Sequence, residues 1–297
     1  MANIDAKPAN APTFSLVVSS LNRELELDKF LEHLDRQTYK HFELFLVDQN
    51  PEGGAKALLA RHSVSSHYIP SNLRGVACGR NGGLRIAQGD ILAIPDDDCW
   101  YPPELLEKVA RWFTDHPDID ILCVVECNPQ GEAMVPQKPP SAGLCSDQPI
   151  GLFMERSVWL AQSSMVFLRR RVRDAIGVMN EQIGVGSPSR YQSGEETDYF
   201  LRALHAGYKM WFEPSIRIFH VELRTPERLR KAIFPYALGT GYVLREHGCK
   251  LPRLLAVVCR SLGAAFVSAC RLRFREVPLY LSRGIAIFMG YFGRRVD

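Results

Sequence analysis

Apolar runs of strand length alternate with amphipathic runs of helix length through the first 127 residues, and this alternation confines the chain to an α/β architecture with a mostly parallel sheet. Residues 14–20 read as a first strand. Residues 25–37 place Leu27, Phe30, Leu31 and Leu34 on one helical face. Residues 42–48 form a second strand, closed by the turn Asn50-Pro51-Glu52-Gly53-Gly54. A helix over 55–62, a short strand near 67–69, a helix over 77–88 and a strand over 90–95 follow, then a helix over 104–116 and a strand over 119–126. The turns are short, as in βαβ repetition, so residues 1–127 are expected to form a Rossmann-like half of nucleotide-binding size.

The strand over 90–95 stops in three consecutive carboxylates, Asp96, Asp97 and Asp98, and a helix start follows at Pro102-Pro103-Glu104. Such a turn sets hard oxygen ligands at the carboxyl edge of the sheet, where open α/β folds bind their ligands and where a divalent cation meets a phosphate. Asp is also an ordinary N-cap and Pro is tolerated in the first helical turn. One Asp suffices for that, whereas three adjacent anions repel one another unless a cation or hydrogen-bond donors compensate. Metal or nucleotide binding is therefore expected here.

At 297 residues, 46% hydrophobic and 23% charged, the chain can bury the core of one large α/β domain with an appendage, or of two small domains. Its eight cysteines contain no C-x-x-C pair and are scattered through apolar segments, which reads as reduced core thiols of a cytosolic protein. The N-terminus has no charged stretch followed by an apolar core, so no secretory signal is expected.

From 128 to 150 the sequence is rich in Pro, Gly, Gln and Ser, including Pro136-Gln137-Lys138-Pro139-Pro140, and without period, as in a lid or crossing loop. A strand is expected over 163–168 and a helical stretch over 169–176. The glycine-rich passage 184–194 opens into a helix over 195–205 whose first turn carries Glu195, Glu196 and Asp198. The helix dipole favours acids there for structural reasons alone, but the glycine loop before them suggests a site that closes over substrate. Residues 128–244 are expected to complete the same domain as its acceptor and catalytic half.

The last 53 residues differ in charge. From 245 to 297 there are ten Lys/Arg against three Asp/Glu, so of the net +3 the tail holds +7 and the first 244 residues about −4. Apolar runs at 251–270 and 279–292 are interleaved with Arg253, Arg260, Arg271, Arg273, Arg275 and Arg283. Arg253 and Arg260 interrupt the first run, leaving a centre too short to cross hydrocarbon comfortably. The tail is expected either to lie in the interface of an anionic membrane or to pack as amphipathic helices on the domain or on a second subunit. Its basic residues alternate with aliphatics and not with aromatic platforms, which disfavours nucleic acid.

The order of these motifs resembles the family 2 glycosyltransferases of GT-A fold, of the bacterial polysaccharide or glycolipid type. The matching segments span about residues 14–222: Val17-Val18-Ser19-Ser20-Leu21-Asn22-Arg23, Leu46-Val47-Asp48, the glycine-rich helix 75–89, Pro95-Asp96-Asp97-Asp98 as the D-x-D site, Gly194-Glu195-Glu196-Thr197-Asp198, and Pro214 with His220 on a following strand. Where the family writes Glu-Asp, this chain has Glu195-Glu196, which leaves the assignment between the two open. The resemblance implies a nucleoside-diphosphate sugar donor held by Ser19, Asn22, Arg23, Asp48, Arg80, Asn81, Asp96 and Asp97. It implies Mg²⁺ or Mn²⁺ on Asp98, with Asp96 reaching ribose or metal and His220 able to complete the set. Asp48 is placed to accept hydrogen bonds from the base, and Arg80 to pair with Asp48 or approach the diphosphate. An acceptor hydroxyl on a lipid-linked or polysaccharide glycan needs its proton removed as it attacks, which favours Glu196 as base, its pKa raised by Glu195, and inversion at the anomeric carbon.

Other classes fit less well. A nucleotide-sugar pyrophosphorylase needs a glycine-rich phosphate loop with a basic residue after the first strand, and a dinucleotide oxidoreductase needs G-x-G-x-x-G there, whereas this turn reads Ser19-Ser20-Leu21-Asn22-Arg23-Glu24. A catalytically inactive binding or scaffold protein is the remaining alternative, with the Glu-Glu variant as its mark. The expected setting is cytoplasmic, peripheral on the inner face of the cell membrane.

Overall fold

The computed structural model describes residues 11–51, 53–134, 141–147, 157–221 and 226–296. The first half runs β1 (Phe14–Ser20), α1 (Glu24–Asp35), β2 (Phe42–Asp48), α2 (Gly54–Leu59), β3 (Ser66–Pro70), α3 (Val76–Leu84), β4 (Ile91–Ala93), β5 (Cys99–Trp100), α4 (Leu105–Asp115) and β6 (Ile121–Cys127). The second runs β7 (Gly143–Leu144), β8 (Val166–Arg169), α5 (Arg170–Ile176), α6 (Glu195–His205) and β9 (Met210–His220). Three helices follow: α7 (Pro226–Glu246), α8 (Leu251–Cys270) and α9 (Val277–Tyr291).

One mixed sheet of nine strands carries the domain, in the order β3-β2-β1-β4-β8-β6-β9-β5 with β7 on β9. From β3 to β4 all pairings are parallel, as the βαβ repetition requires. β8 breaks the pattern: it inserts between β4 and β6 and runs antiparallel to both. No crossover α-helix directly precedes it among the described residues, where two short 3₁₀ turns (Val158–Leu160 and Ser163–Met165) lead in, so nothing obliges it to run parallel. β9 returns parallel to β6 with a register shift at Val124/Val125, which accommodates Pro214 in a paired strand.

The helices bury the faces their periodicity marks. In α1, Leu27, Phe30, Leu31 and Leu34 are fully buried, each worth about 1.5–3 kcal/mol on removal from water. Helix α3 lies unusually close to β1, because a Cβ at Gly79 would stand 2.6 Å from that of Ser19, and one at Gly83 2.6 Å from Val17. That i, i+4 glycine pair is why the segment is glycine-rich and still helical.

The tail departs from expectation in two respects. Helix α7 crosses the 245 boundary and packs along α9, where Gly241 and Gly290 bring the two backbones together: a Cβ on either would run into a carbonyl of the other helix. Helix α8 spans 20 residues and, by length and composition alone, is apolar enough to cross a membrane, with Arg253 and Arg260 inside it. It buries Leu254, Ser261, Ala265 and Ser268 and exposes Leu255, Leu262 and Phe266. Arg253 and Arg260 share a separate stripe of the same helix. None of the eight cysteines forms a disulfide, but only Cys99, Cys123 and Cys127 are buried, while Cys259 and Cys270 are exposed on α8. Residues 135–140 and 148–150 of the proline-rich stretch lie outside the described residues.

Candidate active site

Every chemically distinctive group collects at the carboxyl edge of the sheet. Asp96, Asp97 and Asp98 follow β4, Asp48 ends β2, Glu126 stands near the end of β6, His220 ends β9, and α6 begins with Glu195 and Glu196. Pairing of Cys99 with His220 in the β5–β9 ladder sets the histidine beside the aspartates, and its Nε2 lies 2.9 Å from Asp98 Oδ1.

The compensation that three neighbouring anions require comes largely from the chain itself. Arg23 donates from Nη1 to Asp97 Oδ1 at 3.1 Å and to Asp98 Oδ2. Arg80, only 4% exposed, donates to Asp96 Oδ1 at 2.6 Å and to Glu196 Oε1 at 2.8 Å, and lies 3.6 Å from Glu195. Burial alone would lower its affinity for the proton, but the carboxylates around it reverse that and keep it charged. Burial pushes Asp98 upward, yet the hydrogen bond and charge of His220 and the charge of Arg23 outweigh it and hold Asp98 below the ordinary carboxylate range. His220 is the converse: burial lowers it, and Asp98 with Glu126 raises it to about 8. Asp97, more deeply placed, is pushed up to about 7 by burial against the pull of Arg23.

Asp96, Asp98 and His220 each offer one donor atom within 4.8 Å of the others. Two carboxylate oxygens and an imidazole nitrogen are a donor set suited to Mn²⁺, and His220 Nδ1 is buried without a hydrogen-bond partner, so the residues present fit a divalent ion.

Glu196 is fixed by three donors on one oxygen: Arg80, the Ser163 backbone N–H at 3.0 Å and the Ser163 hydroxyl all reach Oε1. Among the described residues Oε2 has no partner, and the side chain remains partly exposed. The neighbouring Glu195, 5% exposed, is pushed up to about 7 by burial first and by Glu196 second. The helix azimuth turns Glu195 into the protein and Glu196 toward the cleft.

The remaining expected residues separate. Asp48 accepts from the Asn50 backbone and side chain at 2.9 and 2.7 Å and from the Tyr68 hydroxyl at 3.0 Å; Arg80 does not pair with it, because the three acids at the sheet edge claim the guanidinium. Asn22 stands in the left-handed region, φ 57°, with its N–H on Asn50 Oδ1. Ser19 lies under Gly79. Asn81 is not part of the cluster: fully buried, it binds the Met179 backbone and Glu181 and clips α3 to the segment after α5. The glycine-rich 184–194 passage packs on the start of α3, with Val76 N–H on the Val185 carbonyl at 2.9 Å. Ser163, Ser164, Tyr68 and Glu126 went unnoticed in the sequence. A single acid inside the apolar run 121–127 was the one available signal, for Glu126.

A Rossmann-like sheet with an acid-rich carboxyl edge and an acidic helix start facing it defines the GT-A class of α/β proteins. Residues 15–177, over half of the chain, match the model of Glycosyl transferase family 2, and the protein belongs to that family. A Haemophilus influenzae protein described as an uncharacterized glycosyltransferase is 32% identical over 111 residues, 36% of this chain and 37% of that one. The PGL/p-HBAD biosynthesis glycosyltransferase of Mycobacterium bovis is 29% identical over 120 residues, 38% and 46% of the two chains. The match thus spans less than half of either relative's own length. Among solved structures, the mannosyltransferase PcManGT from Pyrobaculum calidifontis, in complex with GDP-Man and Mn²⁺, aligns with a TM-score of 0.63 at 14% identity, covering 97% of this chain and 89% of that one. S. aureus TarS 1-349 in complex with UDP-GlcNAc aligns with a TM-score of 0.58 at 16% identity, covering 94% and 89%. At such identities the likeness is one of fold.

Proposed function

We propose that this protein is an inverting glycosyltransferase that moves a sugar from a nucleoside-diphosphate sugar to a hydroxyl of a lipid-linked or polysaccharide glycan. The observation that carries the reading is the bridge from Asp96 through Arg80 to Glu196, which holds a cation-binding carboxylate and a base in one rigid unit across the cleft. Residues 1–127 would bind the donor, 128–244 the acceptor. Asp96, Asp98 and His220 would hold Mg²⁺ or Mn²⁺, which when bound supplies positive charge to the leaving diphosphate. Ser19, Asn22, Arg23, Asp48 and Asp97 line the donor side.

Glu196 Oε2 accepts the acceptor's hydroxyl proton while the hydroxyl oxygen bonds to the anomeric carbon. The bond from that carbon to the diphosphate oxygen breaks on the opposite face, which inverts the centre. Arg80 and Ser163 hold Oε1, so the carboxylate need not reorganise. Helices α8 and α9, which expose apolar side chains on one face and carry arginines on another, would hold the enzyme on the anionic inner face of the membrane, where a lipid-linked acceptor resides.

Glu196→Gln tests the assignment: donor binding should persist, measured by calorimetry with UDP- and GDP-sugars and Mn²⁺, while transfer falls at least 100-fold. Full transfer by Glu196→Gln with loss in Glu195→Gln would exchange the two roles, and full transfer by both would overturn the mechanism.

A further inference from the structure

Glu126 is a buried carboxylate beside the site that the mechanism above does not use. It is 3% exposed on β6, and burial, the largest influence on it, pushes its pKa up. Its Oε1 accepts the Ser164 hydroxyl at 3.0 Å, and a single neutral donor is poor compensation for a buried acid. His220 Nδ1 lies 3.9 Å from the same oxygen and has no other partner. The opposite nitrogen, Nε2, faces Asp98. Histidine, Glu126 and Asp98 thus form a line with the ring in the middle.

The two nitrogens of an imidazole are not independent. A proton held on Nδ1 by an acceptor leaves the Nε2 lone pair for a cation, and such backing of a metal-ligating histidine by a carboxylate fixes both tautomer and ring orientation. One short turn supports both sides of the site: Ser163 holds the Glu196 carboxylate and the adjacent Ser164 holds Glu126.

We propose that Glu126 is the positioning residue of His220: it accepts a hydrogen bond from Nδ1–H, keeping the proton on Nδ1, and turns the Nε2 lone pair toward a cation shared with Asp96 and Asp98. This rests on the reading of those three residues as a metal site.

The test uses the full chain and Mn²⁺, alone and with UDP, with bound ion read by calorimetry and by the free-Mn²⁺ paramagnetic resonance signal. Glu126→Ala should weaken Mn²⁺ binding about 10–100-fold. Glu126→Gln, which keeps an acceptor without the charge, should fall between it and the wild type. Because Glu126 acts through the histidine, adding Glu126→Ala to His220→Asn should cost nothing further, a non-additivity that a purely structural acid would not produce. Losses that add, or wild-type affinity in both Glu126 variants, would overturn the proposal. Should Glu126→Ala fail to fold by near-ultraviolet circular dichroism, Glu126→Gln decides, alone and on the His220→Asn background. Asp98→Asn separates the two readings. If it binds Mn²⁺ like the wild type, or the wild type binds none, the metal reading falls and this proposal with it. If Asp98→Asn loses the ion and the Glu126 variants do not, only this proposal falls.

Discussion

Arg80→Met removes one charge and little volume, and its consequences follow from three distances. The guanidinium lies 2.6 Å from Asp96, 2.8 Å from Glu196 and 3.6 Å from Glu195, and is 4% exposed. Deleting one partner of a buried ionic cluster leaves the others uncompensated, at a cost of about 3–5 kcal/mol, which for a chain of this size lowers Tm by roughly 6–20 °C. The loss must depend on pH. In the wild type Arg80 pulls Glu195 downward, yet burial and Glu196 still leave it at about 7. Without Arg80 it rises further. A carboxyl whose folded-state pKa lies above its unfolded value contributes stability that is fully present below the unfolded pKa and is lost as pH rises through the folded one. The deficit of Arg80→Met should therefore be largest at pH 8 and shrink at pH 5.5, by about 1.4 kcal/mol for each pKa unit gained. Thermal unfolding of both proteins by circular dichroism at the two pH values provides the measurement. A deficit equal at both would mean that Arg80 acts by packing, and no deficit would remove the ionic bridge as a structural element.

Asp98→Asn, or chelation of the wild type, should abolish transfer, and the substitution should also lower Tm because Arg23 and His220 lose a buried partner; full turnover in chelator would refute the metal reading. Gly290→Ala should destabilise by about 1–3 kcal/mol, since the added carbon meets the Leu238 backbone carbonyl, whereas Gly263→Ala on α8, with nothing within 4 Å, should be neutral or stabilising by about 0.4–1 kcal/mol; equal effects in denaturant titrations would mean that α7 and α9 are not in close contact. Phe266→Glu, at a side chain 71% exposed, should abolish flotation with anionic liposomes, and wild-type flotation should weaken from low to high salt; flotation unchanged by the substitution would exclude α8 as the docking face.

What the sequence determined by itself is local. Because helical and strand periods and end signals act over a few residues, helix α1 buries the four side chains its period marks, α6 spans the 195–205 expected of it, and the run into Asp96 contains a strand, though one that ends at Ala93, two residues short of the acids. Order along the chain also sufficed for the family, since the motifs recur in sequence. The tertiary structure decided which distant groups meet and which way adjacent ones point. Arg80 joins Asp96 to Glu196 across 116 residues, and no pattern near any of them announces it. Of two neighbouring glutamates, packing of α6 turned Glu195 inward, and burial pushes it up to about 7. Asn81, polar and adjacent to Arg80, points to Met179 and Glu181 because successive helical residues face about 100° apart. Glu126 is an acid in an apolar strand by sequence, and a neighbour of His220 only once β9 lies beside β6. Electrostatic partners are fixed by distance in space, and distance in space is what one-dimensional periodicity does not carry.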